Sequence, residues 1–589
     1  MKSLLVILAA AIIVALPFVF RRPAPTGDWR AGDPVLVAIT PHNEALRYEF
    51  AQAFSRWHRE RYGRPVKLDW RVIGGTTEIM RYLASEYVNS CKAWRRREGG
   101  EWPADGAELI LDRRFDPSRP PPEAATNAVA AAAFARRAAL FSAFRGADDP
   151  AAVTSGIDLF FGGGTYDHDK AAGQGLVVPP WRGAERQRPE VAALLDAFPA
   201  QLGGEVWRSE FFFGNVLSTF GICCNRDRLA DLRIEAPPSS WSDLADPRLF
   251  GEVGLADPTK SGSVAKAFEM IVHQQCIRAV AAAGFTDEQV AAWEAAIAKA
   301  RLPPGQVPTN VPAAYQAAVE RGWAEGINLL RLIGANARYF TDGAGKVPVD
   351  VSAGFVAAGV AIDFYGHFQA ETERAPDGAE RMLYITPAGG TSVSADPISL
   401  LRGSPHRELA VRFIEFVLGP DGQKLWNFRP GAPGGPLRFA LRRLPIRRDF
   451  YPSDDPAAAA AYASNRVHEI DDFTDPAANP YRIAARFAYR PRWTAAHFGI
   501  QRDIVRAMCM DAGDELRAAL RAILDHGGPA ANPRAMALLT ALPDRPVPLD
   551  WRSAVGAYAR ADRLDYLRQW NGFFRARYRE AQAAAEGQP

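Results

Sequence analysis

Short apolar segments alternate with amphipathic ones in the first part of the chain. Val35–Thr40 is almost wholly apolar, as expected for a strand buried on both faces of a sheet. Residues 46–57 repeat apolar side chains at helical spacing. Val66–Ile73 alternates as a second strand, and Glu78–Tyr87 again has a helical pattern. This order of strand, helix, strand and helix predicts an open α/β sheet.

The pattern is interrupted once and then continues to about residue 450. Residues 91–149 are charged, then Pro-rich, then Ala-rich, and we interpret them as an insertion. Further strands are predicted at Ile157–Phe161, Val216–Asn225, Val253–Ala256, Val360–Tyr365 and Val393–Ile398. Residues 451–589 have a helical pattern and are rich in Ala, Arg and aromatic residues. We therefore predict an α/β region followed by a C-terminal helical extension.

Polar turns follow four of the predicted strands. They contain His42 and Glu44, then Thr76 and Thr77, then Thr165 and Tyr166, and finally Thr259, Ser261, Gly262 and Ser263. In open α/β sheets the ligand lies outside the carboxyl ends of the strands. The recurrence of polar turns at these ends predicts a ligand-binding cleft.

The last of these turns has the features of an anion site. Ser261 or Ser263 can cap the helix that follows, and Gly262 between them lets a ligand approach the backbone. The start of a helix presents unpaired N–H groups and a partial positive charge. An ordinary capped helix start is the alternative explanation of the same residues.

Further candidate ligand-binding residues lie at a fifth strand end and in the turn that contains Thr165 and Tyr166. Asp363 and Tyr365 close the strand predicted at 360–365. His168, between Asp167 and Asp169, has the composition of a metal cluster, although exposed loop charges would explain the same residues.

Charge and cysteine content exclude several classes of function. The 589 residues include 70 basic and 67 acidic side chains, a net charge of +3, which argues against a nucleic-acid-binding protein. The five cysteines show no C-x-x-C spacing, so neither a zinc site nor a disulfide framework is indicated. We predict no resident cofactor. The basic run from Arg438 to Arg448 is interpreted as a solvated face.

Residues 1–22 are predicted to be a signal peptide or an N-terminal membrane anchor. Leu4–Phe20 is an uninterrupted apolar run, preceded by Lys2 and followed by Arg21 and Arg22. Either alternative places the remaining chain outside the cytoplasm, in the periplasm or beyond it.

The chain resembles the extracellular solute-binding proteins of ABC importers, in particular the subgroup of ferric-iron and aminophosphonate binders. The segments that carry this resemblance are Thr40–Glu44, Asp158–Gly164, Thr219–Asp227, Trp241–Arg248, Ala256–Ser263, Ala361–Gly366 and Asp396-Pro397. The resemblance as a whole extends over roughly residues 33–450.

The resemblance implies a two-lobed type II periplasmic-binding fold. Lobe one would comprise residues 33–217 with 387–450, and lobe two residues 218–386, joined by a hinge near 217–224 and 388–396. It implies a monomer that closes on a small-molecule or metal-ion ligand and docks on an ABC permease in the inner membrane, without a reaction.

The resemblance also suggests ligands. Ferric-iron binders hold the ion with two adjacent tyrosines, and His42 and Tyr365 match ligand positions of that subgroup. Phe364 replaces the second tyrosine, which puts ferric iron in doubt. An organic phosphonate or another anion is the other ligand class that it suggests.

Two alternatives to a solute-binding function belong to other classes of protein. Ser263 and Lys266 fit the S-x-x-K pattern of acyl-transfer enzymes, but the companion motifs S-D-N and K-T-G are absent. Alternatively, the helical extension would make the chain an envelope scaffold or interaction protein.

Overall fold

The computed structural model describes residues 29–302, 305–476, 478–554, 556–557 and 562–588, so the predicted signal or anchor at 1–22 lies outside the described residues. The strands are β1 (Val35–Ile39), β2 (Lys67–Arg71), β3 (Leu159–Phe161), β4 (Val177–Val178), β5 (Gln201–Leu202), β6 (Glu205–Val206), β7 (Phe213–Ser218), β8 (Phe220–Asn225), β9 (Val253–Ala256), β10 (Ala337–Thr341), β11 (Ala358–Ile362), β12 (Met382–Ile385), β13 (Ser394–Leu401) and β14 (Leu444–Pro445).

The α-helices are α1 (Glu44–Tyr62), α2 (Thr76–Arg97), α3 (Gly106–Leu111), α4 (Ala128–Gly146), α5 (Thr165–Gly173), α6 (Pro189–Asp196), α7 (Arg226–Asp231), α8 (Gly262–Ala282), α9 (Asp287–Ala300), α10 (Ala313–Asn336), α11 (Lys346–Ser352), α12 (Asp363–Thr372), α13 (Arg407–Leu418), α14 (Pro420–Asn427), α15 (Pro456–Asn465), α16 (Pro480–Arg486), α17 (Pro491–Thr494), α18 (Phe498–Val505), α19 (Gly513–Asp525), α20 (Gly528–Ala531), α21 (Pro533–Thr540), α22 (Trp551–Ala554) and α23 (Arg563–Ala585). Short 3₁₀-helices join several of them, and a π-helix, Arg506–Asp511, follows α18.

Two mixed sheets share one strand order. The first runs β2-β1-β3-β13-β7-β14, and the second runs β10-β9-β11-β8-β12. In each, three neighbouring strands are parallel, and the next strand, β13 or β8, is antiparallel to them. The chain passes from the first sheet to the second between β7 and β8, and returns between β12 and β13. This is the two-lobed type II periplasmic-binding fold that the resemblance implied.

The predicted C-terminal helical extension is present and packs on the second sheet. Its buried residues Trp493, Ile504 and Phe574 belong to the same apolar core as β9 and the long helices α8 and α10. The first sheet has two separate cores, one on each face. From Phe487 onward the extension is therefore integrated into the second lobe, whereas Ala484, earlier in the extension, belongs to a core of the first sheet.

Predicted and observed element boundaries differ at the end of α2 and at the end of β11. Helix α2 continues past Tyr87 to Arg97, because the apolar positions repeat as far as Cys91, which is fully buried. The strand predicted at 360–365 ends at Ile362, and Asp363 begins helix α12. Asp363 and Tyr365 therefore lie in the first turn of a helix.

Within the described residues, no helix is both long and apolar enough to span a membrane. The five cysteines are buried as free thiols, which agrees with the absence of a disulfide pattern in the sequence.

Candidate functional site

A cavity of about 730 Å³ lies between the two sheets. The ends of β1, β2 and β3 face it from the first sheet, and the ends of β9, β10 and β11 face it from the second. Helices begin soon after most of these strands, because each strand ends in a polar turn. The cavity therefore lies where the sequence predicted a ligand-binding cleft.

Two helix starts reach the cavity from the first sheet. Helix α2 begins at Thr76 after Gly75, and α5 begins at Thr165 after Gly164. Neither glycine supplies a side chain to cap the first N–H groups of its helix, so these donors remain available to a ligand. The Thr76 hydroxyl is buried and has no hydrogen-bond partner among the described residues.

A third helix start reaches the cavity from the second sheet. The Ser261 hydroxyl caps α8 by accepting the Val264 N–H at 3.4 Å, and it lies 3.2 Å from the Ser263 hydroxyl. A Cβ added to Gly262 would lie only 2.8 Å from Thr76 Oγ1 across the cleft. The starts of α2 and α8 therefore approach each other directly, and glycine permits it.

The sheets also approach closely at Gly75. A Cβ at this residue would lie 2.7 Å from the backbone oxygen of Lys260, which belongs to the second lobe. We expect Gly75→Ala to hold the lobes apart while leaving the free energy of unfolding within about 1 kcal/mol of wild type. Small-angle scattering should show a larger radius of gyration.

Gly146→Ala is the matched control, because no heavy atom lies within 4 Å of its added Cβ. An unchanged radius of gyration in Gly75→Ala would contradict a closed cleft held by this contact.

A buried ion cluster forms one side of the cavity. Lys266 Nζ lies 2.9 Å from a carboxylate oxygen of Glu205 and 2.9 Å from one of Glu269. Burial lowers the pKa of Lys266, but the two carboxylates outweigh burial and raise this pKa well above its ordinary value. An ammonium held in this way does not accept a proton from Ser263. The Ser263/Lys266 pair therefore lacks the base that acyl transfer requires.

Arg443 contradicts the predicted solvated basic face. Its guanidinium is fully buried and donates to the Ser218 hydroxyl at 2.6 Å and to Asp396 at 2.5 Å. Its central carbon lies 3.9 Å from the centre of the Phe364 ring. Asp396 and Phe364 both line the cavity. A fixed positive charge thus lies beneath the cavity wall, next to both crossings between the lobes.

Eight of the predicted site residues line the cavity, and four do not. The lining ones are His42, Thr76, Thr165, Tyr166, Ser261, Gly262, Ser263 and Tyr365. Their role in binding stays a prediction. The other four, Glu44, Thr77, Thr259 and Asp363, are not part of the lining.

Each of these four has another role. Glu44 is an exposed first-turn acid of α1, and Thr77 accepts a weak 3.5 Å contact from Arg502. The Thr259 hydroxyl turns back to Asp257 at 2.6 Å. Asp363 accepts the Thr219 N–H at 2.8 Å and so ties α12 to the crossing between β7 and β8. Burial raises the Asp363 pKa to about 7, and Arg443 lowers it in part.

His42 is the predicted metal ligand with the most direct structural information. It is buried, and its Nε2 has no hydrogen-bond partner among the described residues. Burial lowers its pKa well below the ordinary value, and Arg443 lowers it further, so the imidazole is neutral. Within the described residues, no group of three or more His, Cys, Asp or Glu side chains has the arrangement of a metal site.

His168, the other candidate metal ligand, is buried rather than exposed. Its ring nitrogens pair with the Ser399 hydroxyl at 2.7 Å and the Gly162 carbonyl at 3.0 Å. Both ring nitrogens are therefore used to hold α5 against the first sheet.

The sequence did not indicate the contribution of the extension. Tyr489, Pro491, Ala495 and Phe498 line the cavity, together with Glu205, Lys266 and Glu269. An aromatic residue on a helix signals burial but not the partner that it is buried against. The S-x-x-K spacing singled out Lys266, but as a base for acyl transfer and not as the cation of a buried ion cluster.

Residues 209–437 match the family of bacterial extracellular solute-binding proteins. The matching family consists of solute-binding proteins. An uncharacterized protein of Haemophilus influenzae is 25% identical over 270 residues, which are 46% of this chain and 60% of the relative. The chain thus spans about 60% of the length of that relative.

Solved structures of solute-binding proteins resemble the chain at low identity. The periplasmic binding protein AfuA from Actinobacillus pleuropneumoniae, with fructose-6-phosphate bound, is 14% identical with a TM-score of 0.43, covering 78% of this chain and 97% of that one. The ferric binding protein from Campylobacter jejuni is 14% identical with a TM-score of 0.37, covering 77% and 96%. A periplasmic thiamin binding protein is 12% identical with a TM-score of 0.40, covering 78% and 98%. Their ligands do not transfer to this chain at such identity.

Proposed function

We propose that the chain binds one small organic solute with an anionic group in the cavity between its sheets, without converting it. The observation that carries this proposal is the convergence of three helix starts, α2, α5 and α8, on one cavity. Each brings unpaired N–H groups and a partial positive charge. The hydroxyl of Thr76, which has no partner in the described part of the chain, and the hydroxyl of Ser263 add donors beside them.

The size of the cavity supports an organic solute rather than a bare metal ion. About 730 Å³ lies within the range of small-molecule sites, roughly 300–1,000 Å³. A ferric ion in this site would be cargo accompanied by an anion, and not a resident cofactor.

The proposed role is the binding component of an ABC importer outside the cytoplasm. The lobes, taken at the predicted bounds of 33–217 with 387–450 and of 218–386, would close on the solute. The closed form of a monomer would then dock on a permease in the inner membrane. A solute that binds the closed form more tightly than the open form shifts the equilibrium between the two forms towards closure.

Substitution of Ser263 tests the anion site. We expect Ser263→Ala to weaken binding of a phosphate ester by about tenfold or more, because a hydrogen bond to a charged group contributes roughly 1.5–3 kcal/mol. Titration calorimetry with methyl phosphate measures the affinity. Thermal-shift screening with inorganic phosphate, methylphosphonate and ferric citrate ranks the anion classes.

Ser118→Ala, an exposed serine of the insertion, is the control and should bind as wild type. Stabilisation by polyamines with no response to any anion would contradict the proposed ligand class. Hydrolysis of an ester probe that depends on Ser263 would contradict a pure binding function.

A further inference from the structure

The helical extension contributes one wall of the cavity. Tyr489, Pro491, Ala495 and Phe498 line it, and they come from a segment that lies well beyond both sheets in the sequence. Phe498 is only 5% exposed, so it faces the cavity from within a packed helix rather than from a mobile loop.

This wall is anchored firmly to the second lobe. The Thr494 hydroxyl donates to Glu269 of α8 at 2.8 Å, and the Trp493 indole donates to the Tyr315 hydroxyl of α10 at 3.0 Å. Tyr489 also donates to Glu269 through its hydroxyl. Trp493 itself is buried in the core of the second sheet. Four cavity residues of the extension therefore have fixed positions relative to the start of α8.

The same wall reaches across the cleft to the first lobe. The rings of Phe498 and Tyr166 lie 4.7 Å apart between centroids. One turn further along α18, the Arg502 guanidinium carbon lies 4.5 Å from the centre of the Phe498 ring. The Tyr489 N–H donates to the carbonyl of Gly203, in the β5–β6 hairpin, at 2.9 Å. The wall thus closes the cavity beside the start of α5, where Tyr166 follows Thr165.

An apolar surface next to three helix starts defines a two-part site. The helix starts suit an anionic group, whereas Phe498, Ala495 and Pro491 offer carbon atoms and no hydrogen-bonding side-chain group. A purely polar solute would leave this wall without a favourable contact. A ring or another flat apolar group attached to the anion would cover it.

We propose that residues 489–498 form the third wall of the solute site and select an anion that carries a planar apolar group. This inference rests on the proposed anion site and adds the chemistry of the rest of the solute. Phe498 is assigned as the residue that determines specificity, because it meets both the cavity and the opposite lobe.

The test compares two phosphate monoesters on the full chain. We expect phenyl phosphate to bind about tenfold more tightly than methyl phosphate, the factor expected when one ring is buried against aromatic side chains. Phe498→Ala should reduce this ratio to near one. Phe498→Leu keeps most of the bulk, should fold as wild type, and should lower the ratio in part.

Leu564→Ala is the matched control, since this apolar side chain of the extension is 67% exposed and lies outside the cavity. The ratio of phenyl phosphate affinity to methyl phosphate affinity in Leu564→Ala should equal that of wild type. Equal affinities of the wild-type chain for the two esters would overturn the third wall and leave the anion site standing. Failure of both esters to bind would overturn the proposed function itself. Equal weakening of both esters by Phe498→Leu would assign Phe498 a structural role and overturn its role in specificity.

Discussion

Deletion of residues 451–589 is expected to abolish cooperative folding of the second lobe. The extension buries Trp493, Trp570 and Phe574 in the same core as the second sheet. Arg331 of α10 is fully buried and donates to the backbone carbonyls of Leu539 and Ala541, so the deletion would leave its charge unpaired. Each hydrogen bond to a charged group contributes roughly 1.5–3 kcal/mol, before the lost apolar contacts are counted.

Thermal denaturation followed by circular dichroism, with size-exclusion chromatography, measures this outcome. The truncated chain should aggregate or show a broad transition, whereas the full chain unfolds sharply. Trp570→Ala should shift the transition strongly, and Leu564→Ala, on the exposed face of the same helix, should not. A truncated protein that unfolds sharply and still binds methyl phosphate would instead support an extension that serves as a separate interaction element.

Replacement of Lys266 by Met is expected to destabilise the chain by about 3–5 kcal/mol, because it leaves two buried carboxylates without their cation. The side chains of Glu205 and Glu269 are 5% and 1% exposed. Burial raises the pKa of Glu269, but Lys266 and neighbouring hydroxyl groups outweigh burial, and the pKa lies below its ordinary value. The contribution of Glu269 to stability is therefore present above its unfolded pKa and is lost as pH falls through the folded pKa.

The stability lost in Lys266→Met should depend on pH. Without the ammonium, burial dominates and the carboxylate pKa rises, so the folded variant gains protons as pH falls. The deficit relative to wild type should shrink between about pH 8 and pH 5. Urea denaturation at about pH 8 and pH 5 measures this deficit in the free energy of unfolding. Lys424→Met, which removes a partly exposed pair with Asp421, should cost less than about 1 kcal/mol at either pH, and an equal cost for both variants would refute the buried cluster.

Local sequence patterns predicted the sheets and the turns that face the cavity. Strand and helix periods are properties of neighbouring residues, and the glycine and hydroxyl residues at Gly75–Thr76 and Ser261–Ser263 mark strand-end turns directly. Such patterns also place each turn at the carboxyl edge of its own sheet, because the carboxyl ends of parallel strands lie together.

Contacts between distant segments were not predictable in this way. Arg443 lies in a run of arginines whose composition suggests solvent, yet Ser218 and Asp396 pair with it across 225 and 47 positions of the chain. Phe498 belongs to an amphipathic helix, and periodicity identifies its apolar face without naming the surface that this face covers. Asp363 was placed at a strand end, but its carboxylate binds the backbone of the crossing between the lobes.

The position of the third wall in the chain has a consequence for biogenesis. Tyr489 and Phe498 are synthesised after both sheets, so the two lobes emerge first and their cavity stays unfinished until the extension has docked. A chain that crosses a membrane from its N-terminus would therefore pass through the translocation channel without a complete solute site. On the proposed function, capture of solute would begin only after residues 489–498 have been synthesised and have docked.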